Sequence, residues 1–242
     1  MKGIILAGGM GTRLRPLTLI TNKHLLPVYN KPMILYPIET LRKSGILEIM
    51  LVCGREHAGD FINFLGSGKE YGVKLSYAVQ DKNNGGIADA LAYAEDFADK
   101  DSVAVILGDN IFEDNFKSSI KSFKTGTRVF LKEVLDPQRY GVPVFDKSGK
   151  KILKIEEKPE KPKSNYALTG FYLVDNDIFS FIKKLKPSGR GELEMTDALN
   201  HYVEMGKISF STVPGQWYDT GTIDSLLESA LEIKKKLSGK IS

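Results

Sequence analysis

Between Met1 and Ile38 the chain has no Asp or Glu, although acids number 30 of its 242 residues. The same stretch carries Lys2, Arg13, Arg15, Lys23 and Lys31, and it contains the run Gly8-Gly9-Met10-Gly11-Thr12-Arg13. Ahead of those glycines, Lys2-Gly3-Ile4-Ile5-Leu6-Ala7 reads as a short buried strand. A strand ending in a glycine turn with cations and no anions suits a polyphosphate. Glycine lets backbone N–H groups approach the oxygens, and arginine and lysine neutralise their charge. A plain glycine turn needs no such cations, and Arg13, Arg15 and Lys23 within one acid-free segment weigh against it.

Two familiar phosphate motifs do not fit. A dinucleotide fingerprint needs a third glycine where this chain has Leu14, and an acid about 20 residues on, whereas the first acid is Glu39. No G-x-x-x-x-G-K-[ST] run occurs at this turn. An NAD-dependent oxidoreductase is therefore disfavoured.

The elements that must hold these residues follow from the apolar pattern. Short apolar runs at 2–7, 48–53, 73–79 and 103–107 alternate with helical patterns near 33–44, 56–65 and 87–98. That alternation predicts an α/β fold with a mostly parallel sheet flanked by helices. Ligands of such sheets sit beyond the C-terminal ends of the strands. Both the glycine turn and Gly108-Asp109-Asn110 fall there. The second half is richer in strands, at 128–134, 142–145, 151–157 and 166–174, with helices expected at 176–184, 195–203 and 222–237. We expect a single unit over residues 1–242. Its nucleotide-binding half would be about 1–125, its strand-rich sugar-phosphate half about 126–222, and its C-terminal helix 223–242.

Composition narrows the function class. A net charge of +4 is too mild to argue for nucleic acid, and Lys234-Lys235-Lys236 suits the solvated end of a helix, where cations complement the dipole. The one cysteine, Cys53, rules out an internal disulfide framework and lies in an apolar run, as a core residue would. His24, His57 and His201 show no ligand spacing. The N-terminal apolar run is too short for a signal peptide, and no stretch approaches the ~20 apolar residues of a membrane span. The expectation is a cytoplasmic enzyme or binding protein with no membrane partner.

The chain resembles a known family over nearly its whole length. Gly8-Gly9-Met10-Gly11-Thr12-Arg13-Leu14-Arg15-Pro16-Leu17-Thr18, Asn22-Lys23-His24-Leu25-Leu26-Pro27-Val28 and Lys31-Pro32-Met33-Ile34 are similar to the signature of sugar-1-phosphate nucleotidylyltransferases. The likeness continues, in order, through Leu107-Gly108-Asp109-Asn110, Arg139-Tyr140-Gly141-Val142 and Glu156-Glu157-Lys158-Pro159. It ends with Ser164 to Gly170, Arg190-Gly191-Glu192-Leu193-Glu194 and Trp217-Tyr218-Asp219-Thr220-Gly221-Thr222. It is nearest to the members that join glucose 1-phosphate to dTTP. The same reaction with UTP or another sugar 1-phosphate stays open, and so, more remotely, does a non-catalytic sugar-nucleotide sensor.

The resemblance implies a Rossmann-like nucleotidyltransferase fold with a strand-rich sugar-binding insert, a Mg²⁺ cofactor and a homo-oligomer. It also implies residue roles. Leu6, Ala7, Gly8, Gly9, Gly11 and Thr12 would wrap the nucleotide, and Arg13 and Lys23 would contact the triphosphate and the leaving pyrophosphate. Asp109 and Asp219 would hold the metal, Asp109 also lying against the nucleotide. Gln80 with Gly85 or Gly86 would read the pyrimidine. The run Gln80 to Ile87 is one residue longer than the family pattern, so which glycine does so is open. Tyr140, Gly141, Glu157, Leu168 and Trp217 would form the glucose 1-phosphate pocket. Lys158 and Arg190 would bind its phosphate, with Lys158 joining Arg13, Lys23 and Asp109 as catalytic groups. Of Glu156 and Glu157, adjacent on a strand, one should face the sugar. One helix follows Trp217, which predicts a short form without the segment that helps build a second, regulatory nucleotide site in longer members.

Overall fold

The computed structural model describes residues 1–82 and 85–239. Asn83 and Asn84, within the run that departs from the family pattern, and residues 240–242 of the expected C-terminal helix lie outside them. The first half runs β1 (Lys2–Ala7), β2 (Pro27–Val28), β3 (Lys31–Pro32), α1 (Leu35–Lys43), β4 (Glu48–Gly54), α2 (Ala58–Leu65) and β5 (Lys74–Gln80). It continues with α3 (Ile87–Ala92), α4 (Glu95–Ala98), β6 (Val103–Leu107), β7 (Asn110–Phe112) and α5 (Lys117–Ser122). The second half runs β8 (Thr127–Glu133), β9 (Gly141–Phe145), β10 (Ile152–Glu157), β11 (Tyr166–Val174), α6 (Asp177–Ile182) and α7 (Met195–Glu204). It closes with β12 (Ile208–Thr212), β13 (Trp217–Asp219) and α8 (Ile223–Ser238).

Seven strands form one sheet in the order β12-β8-β11-β6-β1-β4-β5. Every neighbouring pair is parallel except those of β11, which runs antiparallel to both β6 and β8. Three strands of the second half thus extend the same sheet, while β9 and β10 form a separate antiparallel pair.

Both faces of the sheet are covered, so its strands read as continuous apolar runs. Alternate residues still serve opposite faces. Ile4, Leu6, Val103 and Val105 pack with Leu91, Phe179, Leu199 and Tyr202 of α3, α6 and α7. Ile5, Ala7, Ala104 and Ile106 pack with Ile38, Leu41, Phe61 and Leu65 of α1 and α2. Cys53 is buried in that second layer as a free thiol. A third, smaller cluster of Val28, Met33, Tyr36 and Ile111 lies under Leu226, Ala230 and Ile233 of α8. The first turn of α8 is fixed by a capping box in which Thr222 and Ser225 bond each other's backbone N–H.

Candidate active site

After β1 the chain crosses to β4 on one side, then returns to place β6 on the other. The switch point therefore falls between β1 and β6, where a crevice opens beyond the strand ends. A cleft of about 610 Å³ lies there. It is lined by Leu6, Gly8, Gly9, Arg13, Lys23, Gln80, Gly85, Gly86 and Asp109, and by Tyr140, Gly141, Glu157, Lys158, Leu168, Arg190, Trp217 and Asp219. Three residues expected at the nucleotide do not line it. Ala7 is wholly buried in the layer of α1 and α2, because strand alternation turns it away from the face of Leu6. Thr12 is exposed outside the cleft. Gly11 has φ +62°, and a Cβ there would stand 2.9 Å from Thr18 Cγ2 and 3.0 Å from Lys23 Cβ, so it makes room for the stem of Lys23.

On the wall that follows β1, Lys23 opens a short 3₁₀ turn whose N-cap is Asn22. The Asn22 side-chain oxygen accepts from the His24 backbone N–H at 3.0 Å and from His24 Nδ1 at 2.7 Å. One acceptor serving both contacts assigns the proton to Nδ1. His24 is 1% exposed. Burial, helped by the neighbouring Lys23 charge and opposed by Asp109, lowers its pKa to about 3, so the ring is neutral. The turn lays Lys23 over Gly9, where a Cβ would stand 3.5 Å from Nζ. Arg13 reaches Gly221, where a Cβ would meet its Nη2 at 2.9 Å and Asp219 Oδ1 at 3.0 Å.

Two carboxylates far apart in sequence meet through a two-stranded ladder. β13 pairs antiparallel with β7, and Asp219 stands opposite Asn110. Thr220 ties the join, donating to the Asp109 carbonyl from Oγ1 at 2.7 Å and from its N–H at 3.0 Å. Asn110 serves both halves of the cleft. Its Nδ2 donates to Asp109 Oδ1 at 3.0 Å, and its Oδ1 accepts from Trp217 Nε1 at 2.6 Å and the Gly170 N–H at 3.0 Å. Burial would raise the Asp109 carboxyl, but the paired Lys23 ammonium, with help from Asn110, holds it well below the usual carboxylate range. Asp219 is pushed up, by burial first and then by the Asp109 charge, against the pull of Lys23, Arg13 and Arg139. Arg139 Nη2 lies 4.0 Å from its Oδ2. Two close carboxylates of which one is held above its ordinary value are a donor set that a divalent cation relieves. Mg²⁺ takes one or two carboxylates together with phosphate oxygens, so these residues fit such an ion. Among the described residues no three His, Cys, Asp or Glu side chains cluster as metal ligands, so such an ion would complete its shell from substrate and water.

The opposite wall of the cleft is built by β9, β10 and the turn before α7. Glu157 stands opposite Gly141 on the β9–β10 pair and lines the cleft, whereas Glu156 faces away toward Lys154 at 3.7 Å and Lys163 at 3.5 Å. Burial raises the Glu157 carboxyl, partly offset by Lys158 and Arg190. Lys158 has a left-handed backbone, φ +43°, and its Nζ lies 3.7 Å from Glu157 Oε1. The Tyr140 and Trp217 rings meet edge to face at 5.2 Å between centroids. Arg190 is more committed than a free phosphate ligand would be. Its Nε and Nη2 donate to the two oxygens of the buried Glu194 at 3.2 and 2.8 Å, and Nη2 also reaches Glu157 Oε1 at 3.2 Å. Sequence reasoning missed Asn22, Asn110, Thr220 and Glu194 as positioning residues, although each lies inside a motif quoted above. Their side chains meet partners that only the fold reveals.

A family model for nucleotidyl transferases matches residues 2–236. A glucose-1-phosphate thymidylyltransferase of Neisseria gonorrhoeae is 47% identical over 236 residues, 95% of this chain and 81% of that protein. One of Mycobacterium tuberculosis is 45% identical over 235 residues, again 95% of this chain and 81% of that protein. A crystal structure of a putative glucose-1-phosphate thymidylyltransferase from Bacillus anthracis, in complex with a sucrose, superposes with a TM-score of 0.90 at 51% identity, covering 96% of this chain and 94% of that one. A UDP-glucose pyrophosphorylase complexed with UDP-glucose superposes at 0.83 with 27% identity, covering 97% and 98%. With a family model spanning nearly every residue and relatives this similar over nearly all of its length, the chain belongs to the nucleotidyl transferase family.

Proposed function

We propose that this enzyme transfers the dTMP moiety of dTTP to α-D-glucose 1-phosphate, giving dTDP-glucose and pyrophosphate. The observation that carries the reading is the division of one cleft. Glycines and cations from the first 24 residues line one side, sugar-type polar and aromatic groups line the other, and Asp109 and Asp219 stand between. Relatives over 40% identical that bear the thymidylyltransferase name support the substrate pair.

In this reading Gly8 and Gly9 let the triphosphate approach the end of β1, and Lys23 and Arg13 take up charge on the departing pyrophosphate. Glu157 accepts sugar hydroxyls. Lys158 and Arg190 hold the sugar phosphate, and the Tyr140 and Trp217 rings bound its pocket. The attacking phosphate oxygen is already anionic, so no general base is required, and rate comes from orientation and charge stabilisation. Asp109 and Asp219 would hold Mg²⁺, which supplies charge neutralisation at the phosphates when bound. The enzyme works in this proposal as a cytoplasmic homo-oligomer, to be checked by light scattering. Among the described residues no helix is long and apolar enough to cross a membrane.

The test is pyrophosphate release from a matrix of nucleoside triphosphates and sugar 1-phosphates with Mg²⁺. The pair dTTP and glucose 1-phosphate should give the highest kcat/KM, and Asp109→Asn should cut kcat by roughly 10²–10³ or more with the fold retained by circular dichroism. No pyrophosphate from that pair overturns the reading, and a preference for UTP reassigns the donor.

A further inference from the structure

Gln80, at the C-terminal end of β5, is 5% exposed and lines the cleft. Its Nε2 donates to Asp89 Oδ2 at 2.7 Å and lies 3.5 Å from the Gly86 carbonyl oxygen. Both groups on that side of the amide accept and neither donates. A flipped amide would press its own oxygen against a carboxylate and a carbonyl, which fixes which end is which. Oε1 must then face the other way, toward Gly8, where a Cβ would collide with it. Among the described residues no donor reaches Oε1, and it is not sealed from solvent. Gly85 makes the arrangement possible, because any side chain there would strike the Asp89 carboxylate. Asp89 itself lies in the first turn of α3, half-buried.

We propose that Asp89 is a positioning residue that locks the Gln80 amide in one orientation, so that the base slot presents an acceptor and selects a pyrimidine carrying N3–H over one carrying an N3 lone pair. Thymine and uracil donate from N3, whereas cytosine accepts there. The locked Oε1 accepts from the first two and opposes the third. An unlocked amide turns its Nε2–H₂ to the slot and accommodates cytosine. The inference rests on the reading of Gln80 as the base contact. It also narrows the open choice of glycine: Gly85 serves the lock, and Gly86 offers its carbonyl to the same amide.

The experiment compares dTTP, UTP and dCTP on wild type, Asp89→Ala, Asp89→Asn and Gln80→Ala, by pyrophosphate release and by calorimetric binding, so that the ratios do not depend on turnover. In Asp89→Ala the preference for dTTP over dCTP should fall about tenfold or more, through KM and not kcat, while dTTP against UTP stays unchanged. Asp89→Asn is isosteric but brings a donor that a flipped amide can accept from, so only the Gly86 carbonyl still opposes the flip and the ratio should fall between those of wild type and Asp89→Ala. A wild type that accepts dCTP as well as dTTP overturns the inference. So does an Asp89→Ala in which all three nucleotides weaken alike, or an Asn variant that discriminates less than Ala. If Gln80→Ala leaves the preference intact, the reading of Gln80 fails and the inference with it. If Gln80→Ala abolishes the preference while Asp89→Ala does not, the inference alone fails.

Discussion

Replacing His24 by glutamine should make folding less sensitive to acid, and the size of the effect follows from the burial of the ring. The folded state holds His24 neutral, with its pKa lowered to about 3 by burial and by Lys23. The unfolded chain carries an ordinary imidazole, near 6.5. The folded-state value is the lower one, so the unfolded state binds the extra proton. The stability this group contributes is complete above about 6.5 and is lost as pH falls from there toward 3. At pH 5 the loss is about 2 kcal/mol, and because unfolded-state protonation sets it, any folded-state value below about 4 gives nearly the same figure. With a urea m-value of about 2 kcal/mol/M, that is about 1 M in the unfolding midpoint. Glutamine can donate to the Asn22 oxygen and does not titrate. Urea unfolding at pH 8 and pH 5, in EDTA and without nucleotide, reads the quantity directly. Groups that titrate alike in both proteins cancel when the pH effect on the variant is subtracted from that on wild type. The difference should be about 2 kcal/mol, with wild type the more acid-sensitive. If the two proteins lose equal stability within about 0.5 kcal/mol, the imidazole is charged or solvated in the folded protein and the account of its burial is wrong.

Two further outcomes test the walls of the cleft. Gly8→Ala places a Cβ on Gln80 Oε1, so KM for dTTP should rise roughly tenfold while KM for glucose 1-phosphate stays put; steady-state kinetics with each substrate varied would expose the reverse pattern. Arg190→Lys removes the fork that joins Glu194 to Glu157, and a point charge cannot replace it. KM for glucose 1-phosphate should rise about tenfold with dTTP unaffected, and equal changes in both would mean that Arg190 acts on folding alone.

The elements legible in the sequence were those with many residues speaking at once. The apolar runs of β1, β4 and β6 and the nine-residue β11 each carry a full face of core contacts, and their bounds, with those of β5, fall within a residue or so of expectation. The three-residue strands β7 and β13 carried no such signal, yet they bring the two aspartates together. β12 is an edge strand whose apolar positions, Ile208 and Phe210, are only half-buried, so its pattern is faint. The candidate site behaved in the same way. Cations and glycines announce phosphate chemistry by type, but type could not separate Gly8, which lines the cleft, from Gly11, which makes room for a lysine stem. Asn110, Glu194 and Asp89 look like ordinary polar residues until the partners they orient are beside them.

The ladder between β7 and β13 also bears on how the protein is made. Synthesis runs at about 5–20 residues per second. The strands β1, β4, β5 and β6, with Gly8, Lys23, Gln80 and Asp109, are all present before the ribosome reaches the second half. Asp219 is translated 110 residues after Asp109, roughly 5–20 s later at that pace, and it is seated by Thr220 on the Asp109 carbonyl. A nascent chain can therefore shape the glycine-and-cation wall of the cleft early and still lack half of the proposed metal site. If the two aspartates act together as proposed, competence waits on β13, long after the strands that carry the other wall of the cleft.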